Sequence, residues 1–146
     1  MLLFGLIVLP LIAGLVAFAT PSAKARPLIV AAAAVLHLIG ALAVRSGDAT
    51  LGGWFAVDAL GHLILGVVSV LFTLCALYGV EYLRIRKERD NPIFCVCLLT
   101  FLSMATAITV AQHLAVVWVA VEGATLSTAV LIYFNHNTRS LEAAWK

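Results

Sequence analysis

Charge is what this sequence has least of. Only 11% of its 146 residues are charged, against roughly 25% in an ordinary soluble domain. So few polar groups cannot cover a water-exposed surface, which excludes a soluble globular domain. The charges nearly balance, at net +2, and the basic ones form short clusters instead of a stripe, so nucleic acid is not an expected partner. Cysteine is scarce, at positions 75, 95 and 97 only. Cys95 and Cys97 lie about 200° apart on a helix, unsuited to tetrahedral metal ligation, and buried thiols packed as small apolar groups are the expectation. There is no Cys-x-x-Cys pair, no glycine-rich phosphate loop and no nucleophile elbow. No metal, no cofactor and no redox or hydrolytic site of the chain's own is expected.

What fills the chain is apolar: 64% of residues are hydrophobic and the mean hydropathy is +1.12. Five runs, over residues 2–20, 28–44, 59–80, 93–110 and 114–134, each come close to the roughly 20 residues needed to cross a hydrocarbon core of about 30 Å. Each run is continuously apolar, with no two-residue alternation, which favours helices over barrel strands. The fold class expected is therefore all-α integral membrane, a single domain of five transmembrane helices, with a sixth element beginning near 140–146.

The interruptions carry their own signals. Residues 20–27 hold Pro21 and Pro27 with two charges, so the first helix is expected to stop there and the second to restart after Pro27. Residues 45–58 form a glycine- and aspartate-containing loop, 81–90 a highly charged one, and 111–113 a tight turn. Short loops rich in Lys and Arg stay in the cytoplasm. An outside N-terminus puts Lys24, Arg26, Arg84, Arg86, Lys87, Arg89, Arg139 and Lys146 on the cytoplasmic side and only Arg45 outside. That orientation, with a cytoplasmic C-terminus, is the expected one. The first run lacks a positive leading segment and is longer than a signal-peptide core, so it is expected to stay as a helix despite Ala17-Phe18-Ala19.

Within the five runs there is a single carboxylate, Glu122. It lies about 3 Å from the midpoint of the fifth helix. An acid at that depth costs roughly 2.5–3.5 kcal/mol on insertion scales, so it is expected to face other protein, to be paired, or to belong to an ion pathway. Trp118, Thr125 and Ala129 share its face on a helical wheel while Ser127 does not. Small residues Ala120, Gly123, Ala124 and Ala129 allow close helix approach, so the fifth helix is expected inside the bundle. Two roles stay open for Glu122: an ion-pathway group, or a structural acid bonded to a neighbouring helix. Histidines divide similarly. His37 and His62 differ in depth by roughly 6 Å, which does not suit a shared haem; for both a proton relay or an interhelical hydrogen bond is expected. His113 and His136 fall in turns and are expected to be solvated.

Residues 112–146 resemble the fifth helix and following loop of the proton-pumping antiporter-like subunits of respiratory complex I, Mrp-type antiporters and group 4 membrane-bound hydrogenases. The stretch Trp118-Val-Ala-Val-Glu-Gly-Ala-Thr-Leu126 is most similar to the formate hydrogenlyase type. Trp54-Phe-Ala-Val-Asp-Ala-Leu60 onward to Tyr78-Gly-Val-Glu-Tyr-Leu83 resembles the family's third helix, and Asp90-Asn-Pro-Ile-Phe94 the start of its fourth. The first two helices match by hydropathy only.

The resemblance implies that Glu122 modulates proton transfer by pairing with a lysine on a seventh helix, beyond residue 146, while Lys146 matches a lysine at the start of the sixth. Thr125 and His37 are secondary candidates for the same path. Family members have about fourteen helices in two inverted repeats. The chain is thus expected to form the incomplete first half of such a bundle, a fragment or split product completed by other membrane subunits that supply the missing helices and lysines. Peripheral redox subunits and the lipid bilayer of a prokaryotic cell membrane complete the expected partners. The function implied is proton translocation within a redox-driven oxidoreductase complex. Two alternatives remain: a membrane subunit of an inorganic-carbon uptake system with a zinc-containing soluble partner, and a structural or assembly protein.

Overall fold

The computed structural model describes residues 2–45, 47, 49–85, 91–134 and 138–145. Five helices are long and apolar enough to cross a membrane: α1 (Leu2–Ala19), α2 (Ala25–Ala43), α3 (Ala59–Ile85), α4 (Pro92–Val110) and α5 (Leu114–Tyr133). A short α6 covers Thr138–Trp145. The chain is a multi-pass helical membrane protein in this sense.

Two helix ends differ from the sequence expectation. α2 starts at Ala25, ahead of Pro27, because Ser22 O accepts the N–H groups of Ala25 and Arg26 at 3.1 and 3.3 Å. Pro27 then falls in the first turn, where the missing N–H has no helical partner to lose. α3 runs past its apolar stretch to Ile85, 27 residues in all. Its last turn keeps Leu83 buried, while Glu81 and Arg84, 3.4 Å apart, lie on the exposed side. At 1.5 Å per residue the helix is about 40 Å long, so it crosses tilted or projects beyond the hydrocarbon.

Successive spans alternate in direction. The α2–α3 and α4–α5 connections share one end of the bundle, where Gln112 N–H donates to Trp54 O at 2.8 Å and Phe55 bridges Ala111. At the other end Arg26 Nη1 donates to Asn91 Oδ1 at 3.1 Å and Nε to Thr20 O at 2.9 Å, while Asn91 Nδ2 donates to Ala23 O at 3.1 Å. These bonds tie the α1–α2 turn to the start of α4. The expected loop 45–58 contains a small hairpin, β1 (Ala49–Thr50) antiparallel to β2 (Phe55–Ala56), turned through Gly52 and Gly53 at φ 65° and 90°. Side chains with a Cβ rarely adopt that left-handed backbone.

α3 begins with Asp58 as its N-cap: Oδ1 accepts the Gly61 N–H at 2.6 Å. Asp58→Ala removes that acceptor and is expected to cost about 0.5–2 kcal/mol, read as a lowered unfolding midpoint in mild detergent.

α4 is the central helix, packed against α1, α2, α3 and α5. Two apolar clusters fill the bundle, one around Leu6, Leu65 and Val110 and one around Phe72, Leu99 and Leu102. Between them on α2, α3 and α4 lies a buried polar layer of His37, Ser69, Ser103 and Thr106, with Thr73 one turn further along α3. Ser103 donates to Ile7 O on α1 at 2.6 Å, one turn ahead of Pro10, where proline weakens the helical ladder.

Candidate functional site

α5 corrects one expectation. Among the described residues its helical neighbours are α4 and α6 alone, so within this chain it sits at the edge of the bundle and not inside it. The small residues serve as expected, but toward α4. Ala120 and Ser127 are buried there, and a Cβ on Gly123 would come within 2.8 Å of Met104 Sδ. Helical periodicity then turns the opposite face outward: Trp118 is 72% exposed, and Glu122 and Thr125 are exposed beside it.

Glu122 is eight residues from the start of α5, about 12 Å along the axis. Among the described residues no ion pair or hydrogen bond reaches its carboxylate. Thr125 does not reach it either: its hydroxyl donates to the Glu122 backbone carbonyl at 2.8 Å. An anion in that position faces lipid or another protein, and lipid offers it nothing. Lys146, the other main candidate, lies outside the described residues.

His37 is on the far side of α4 and has the opposite environment. It is fully buried, with both ring nitrogens engaged: Ser69 Oγ on α3 is 3.1 Å from Nδ1, and Thr106 Oγ1 on α4 is 2.9 Å from Nε2. Ser69 also reaches Leu65 O at 2.7 Å, and Thr106 reaches Leu102 O at 2.8 Å. Thr73 extends the layer, 2.7 Å from Ser69 O and 3.2 Å from Ala34 O. No buried side-chain nitrogen or oxygen among the described residues is left without a partner. Reading the sequence for ionisable groups missed Ser69 and Thr106. The available signal was hydroxyl residues interrupting apolar runs at depths that match His37.

The remaining candidates sit apart. His62 is half-buried on α3 beside a lipid-facing apolar groove with Leu42 and Val70. His113 is exposed and stacks on Trp54, ring centroids 4.9 Å apart, which ties the hairpin to the start of α5. His136 lies outside the described residues. Cys95 is buried as expected, whereas Cys75 is exposed on the side of α3 that faces away from the core; a thiol is apolar enough for lipid. No group of three His, Cys, Asp or Glu among the described residues is arranged to hold a metal.

What fold and site together define is a five-span helical membrane protein in which, among the described residues, the Glu122 carboxylate on the outward face of α5 has no hydrogen-bond or ion-pair partner and His37 is hydrogen-bonded in the core. Compared with protein-family models, with curated proteins and with solved structures, the chain gives no match.

Proposed function

We propose that the chain is a proton-translocating membrane subunit, or the first part of one, in a redox-driven complex of the antiporter-like superfamily. Glu122 is the acid on the proton path, and Lys146 is the basic group at its cytoplasmic mouth. The observation that supports this most is the placement of Glu122: near the middle of α5, turned away from α4, with no partner for its carboxylate among the described residues. A carboxylate there is stable only against a helix that brings hydrogen-bond donors or a positive charge. In the assembled complex that helix packs on the outward face of α5. A change of charge on the partner shifts the proton occupancy of Glu122, which converts a distant redox event into local proton movement.

The same reading places the chain in a prokaryotic cell membrane with the N-terminus outside. A cysteine introduced at Arg84 is expected to react with a membrane-impermeant maleimide only after the cells are opened, and labelling of intact cells would reverse the orientation.

The setting is tested by extracting the chain from native membranes in mild detergent and identifying each polypeptide that travels with it by mass spectrometry. Iron–sulfur and hydrogenase or quinone-reducing subunits are the expected company. A soluble zinc protein without redox subunits would move the chain to inorganic-carbon uptake. Recovery alone would leave α5 without the partner this proposal requires.

A further inference from the structure

The contacts around His37 number four, and each needs one proton between its two heavy atoms: Ser69 Oγ to Leu65 O, Ser69 Oγ to Nδ1, Thr106 Oγ1 to Leu102 O, and Thr106 Oγ1 to Nε2. The two hydroxyls bring one proton each. A neutral imidazole brings one more, so three protons serve four contacts; an imidazolium brings two and fills all four. In one neutral tautomer Nδ1–H donates to Ser69, Ser69 donates to Leu65 O, and Thr106 turns from Leu102 O to donate to Nε2. In the other, Nε2–H donates to Thr106, Thr106 donates to Leu102 O, and Ser69 turns to donate to Nδ1. The two arrangements are equivalent in bond count and differ by two hydroxyl rotations and the site of one ring proton. Each abandoned carbonyl keeps its helical N–H, so neither rotation leaves a group unsatisfied.

We infer that His37, Ser69 and Thr106 form a two-tautomer proton site, a mobile element of the membrane domain separate from Glu122. It takes a proton on one ring nitrogen and gives one up from the other. Nε2 of the first tautomer takes the proton that Thr106 donates to it while a hydronium re-protonates Thr106 Oγ1 and leaves as water; Thr106 then turns back to Leu102 O beside the imidazolium. The Nδ1 proton passes to Ser69 Oγ as Ser69 gives its own proton to water, which leaves the second tautomer with Ser69 donating to Nδ1. One proton enters, one leaves, and no bond other than N–H and O–H changes.

Nothing charged among the described residues biases the ring to one tautomer. α1 and α4 carry no charged residue. On α3, His62 is seven residues from Ser69, while Glu81 and Arg84 are farther along at its end. On α2 itself the only charged group is Arg26, eleven residues away and about 16 Å along the axis. The inference rests on the proton-translocation reading for its purpose, but not for its geometry.

Nitrogen-15 NMR of histidine-labelled full-length protein in native-lipid bilayers tests it, with His37→Gln used to assign the ring. Protonated and bare ring nitrogens are resolved from each other, so tautomers are read directly. The wild-type protein is expected to show both. Ser69→Ala leaves Nδ1 without a partner; a bare acceptor is tolerated there better than an unpaired N–H, so only the Nε2–H form should remain. Thr106→Val should leave only the Nδ1–H form. Opposite losses in two small substitutions cannot come from misfolding. A single wild-type tautomer that neither substitution changes would overturn the inference and make the triad a fixed interhelical bond. That failure leaves the Glu122 proposal standing. Conversely, loss of the Glu122 proposal leaves the tautomers to be seen.

Discussion

Replacing Glu122 by Gln is expected to bring ion translocation by the assembled complex to background, a loss of tenfold or more on the scale of removing about 1.4 kcal/mol or more of coupling, while electron transfer continues. The substitution keeps the shape, puts an amide NH2 donor where one carboxylate oxygen accepted, and removes the ability to carry a charge and exchange a proton. Because Glu122 lies on the exposed face of α5, with Ala120, Gly123 and Ser127 holding the other face to α4, the change should leave the fold of this chain untouched. Proton uptake in reconstituted vesicles, measured beside the redox rate, separates the two effects. Thr125→Val is the control: its hydroxyl serves the Glu122 backbone carbonyl, so coupling should stay near wild type. Full coupled pumping by the Gln variant would make Glu122 a structural acid.

The second large effect is one of stability. Leu99, fully buried on the central helix, anchors the cluster that joins α4 to Phe72 on α3 and Ala17 on α1. In water, Leu→Ala costs transfer free energy plus a cavity, together about 2–5 kcal/mol. In a bilayer the transfer contribution largely vanishes, since lipid tails are as apolar as leucine. What remains is the lost dispersion contact with the surrounding side chains, so the expectation for Leu99→Ala falls by about 2 kcal/mol, to about 1–3 kcal/mol. Leu126→Ala, at a position 61% exposed, should cost close to nothing. Denaturant unfolding in mixed micelles reads both. Equal effects would mean that Leu99 is not at the centre of a packed core.

These expectations differ in how far the sequence could have supplied them. Continuous apolar runs determine the spans because membrane thickness sets a length that no other structure needs, and all five helices lie on the expected runs. Ends were harder. Ala25 rather than Leu28 begins α2 because a carbonyl in the preceding turn, Ser22 O, receives the first N–H groups, a bond that hydropathy does not register. α3 continues through Glu81 and Arg84 because helix persists into the headgroup region when one side still buries Leu83.

For the site, a helical wheel showed which residues share a face with Glu122, and Ser127 was rightly separated from it. It could not show whether a neighbouring helix is present on that face. The expectation of an interior α5 failed for that reason, since small residues mark a close contact without saying on which side the remaining surface is covered. His37 was legible as a buried group needing a partner. Ser69 and Thr106 were not, being 32 and 69 residues away in sequence, and only the fold brings them to one depth.

The buried polar layer bears on the order in which the protein is made. Ser69, Thr73 and Thr106 each reach a carbonyl four residues back on their own helix, so α3 can enter a bilayer alone with its core hydroxyls satisfied, and α4 with all but Ser103, which reaches Ile7 O on α1. α2 cannot, because the His37 ring has its partners on other helices. The nascent α2 therefore gains more from its neighbours than α3 does. It should linger in the insertion machinery until α3 emerges and leave with it as a pair, which makes α2–α3, and not α1–α2, the earliest stable hairpin of the growing chain.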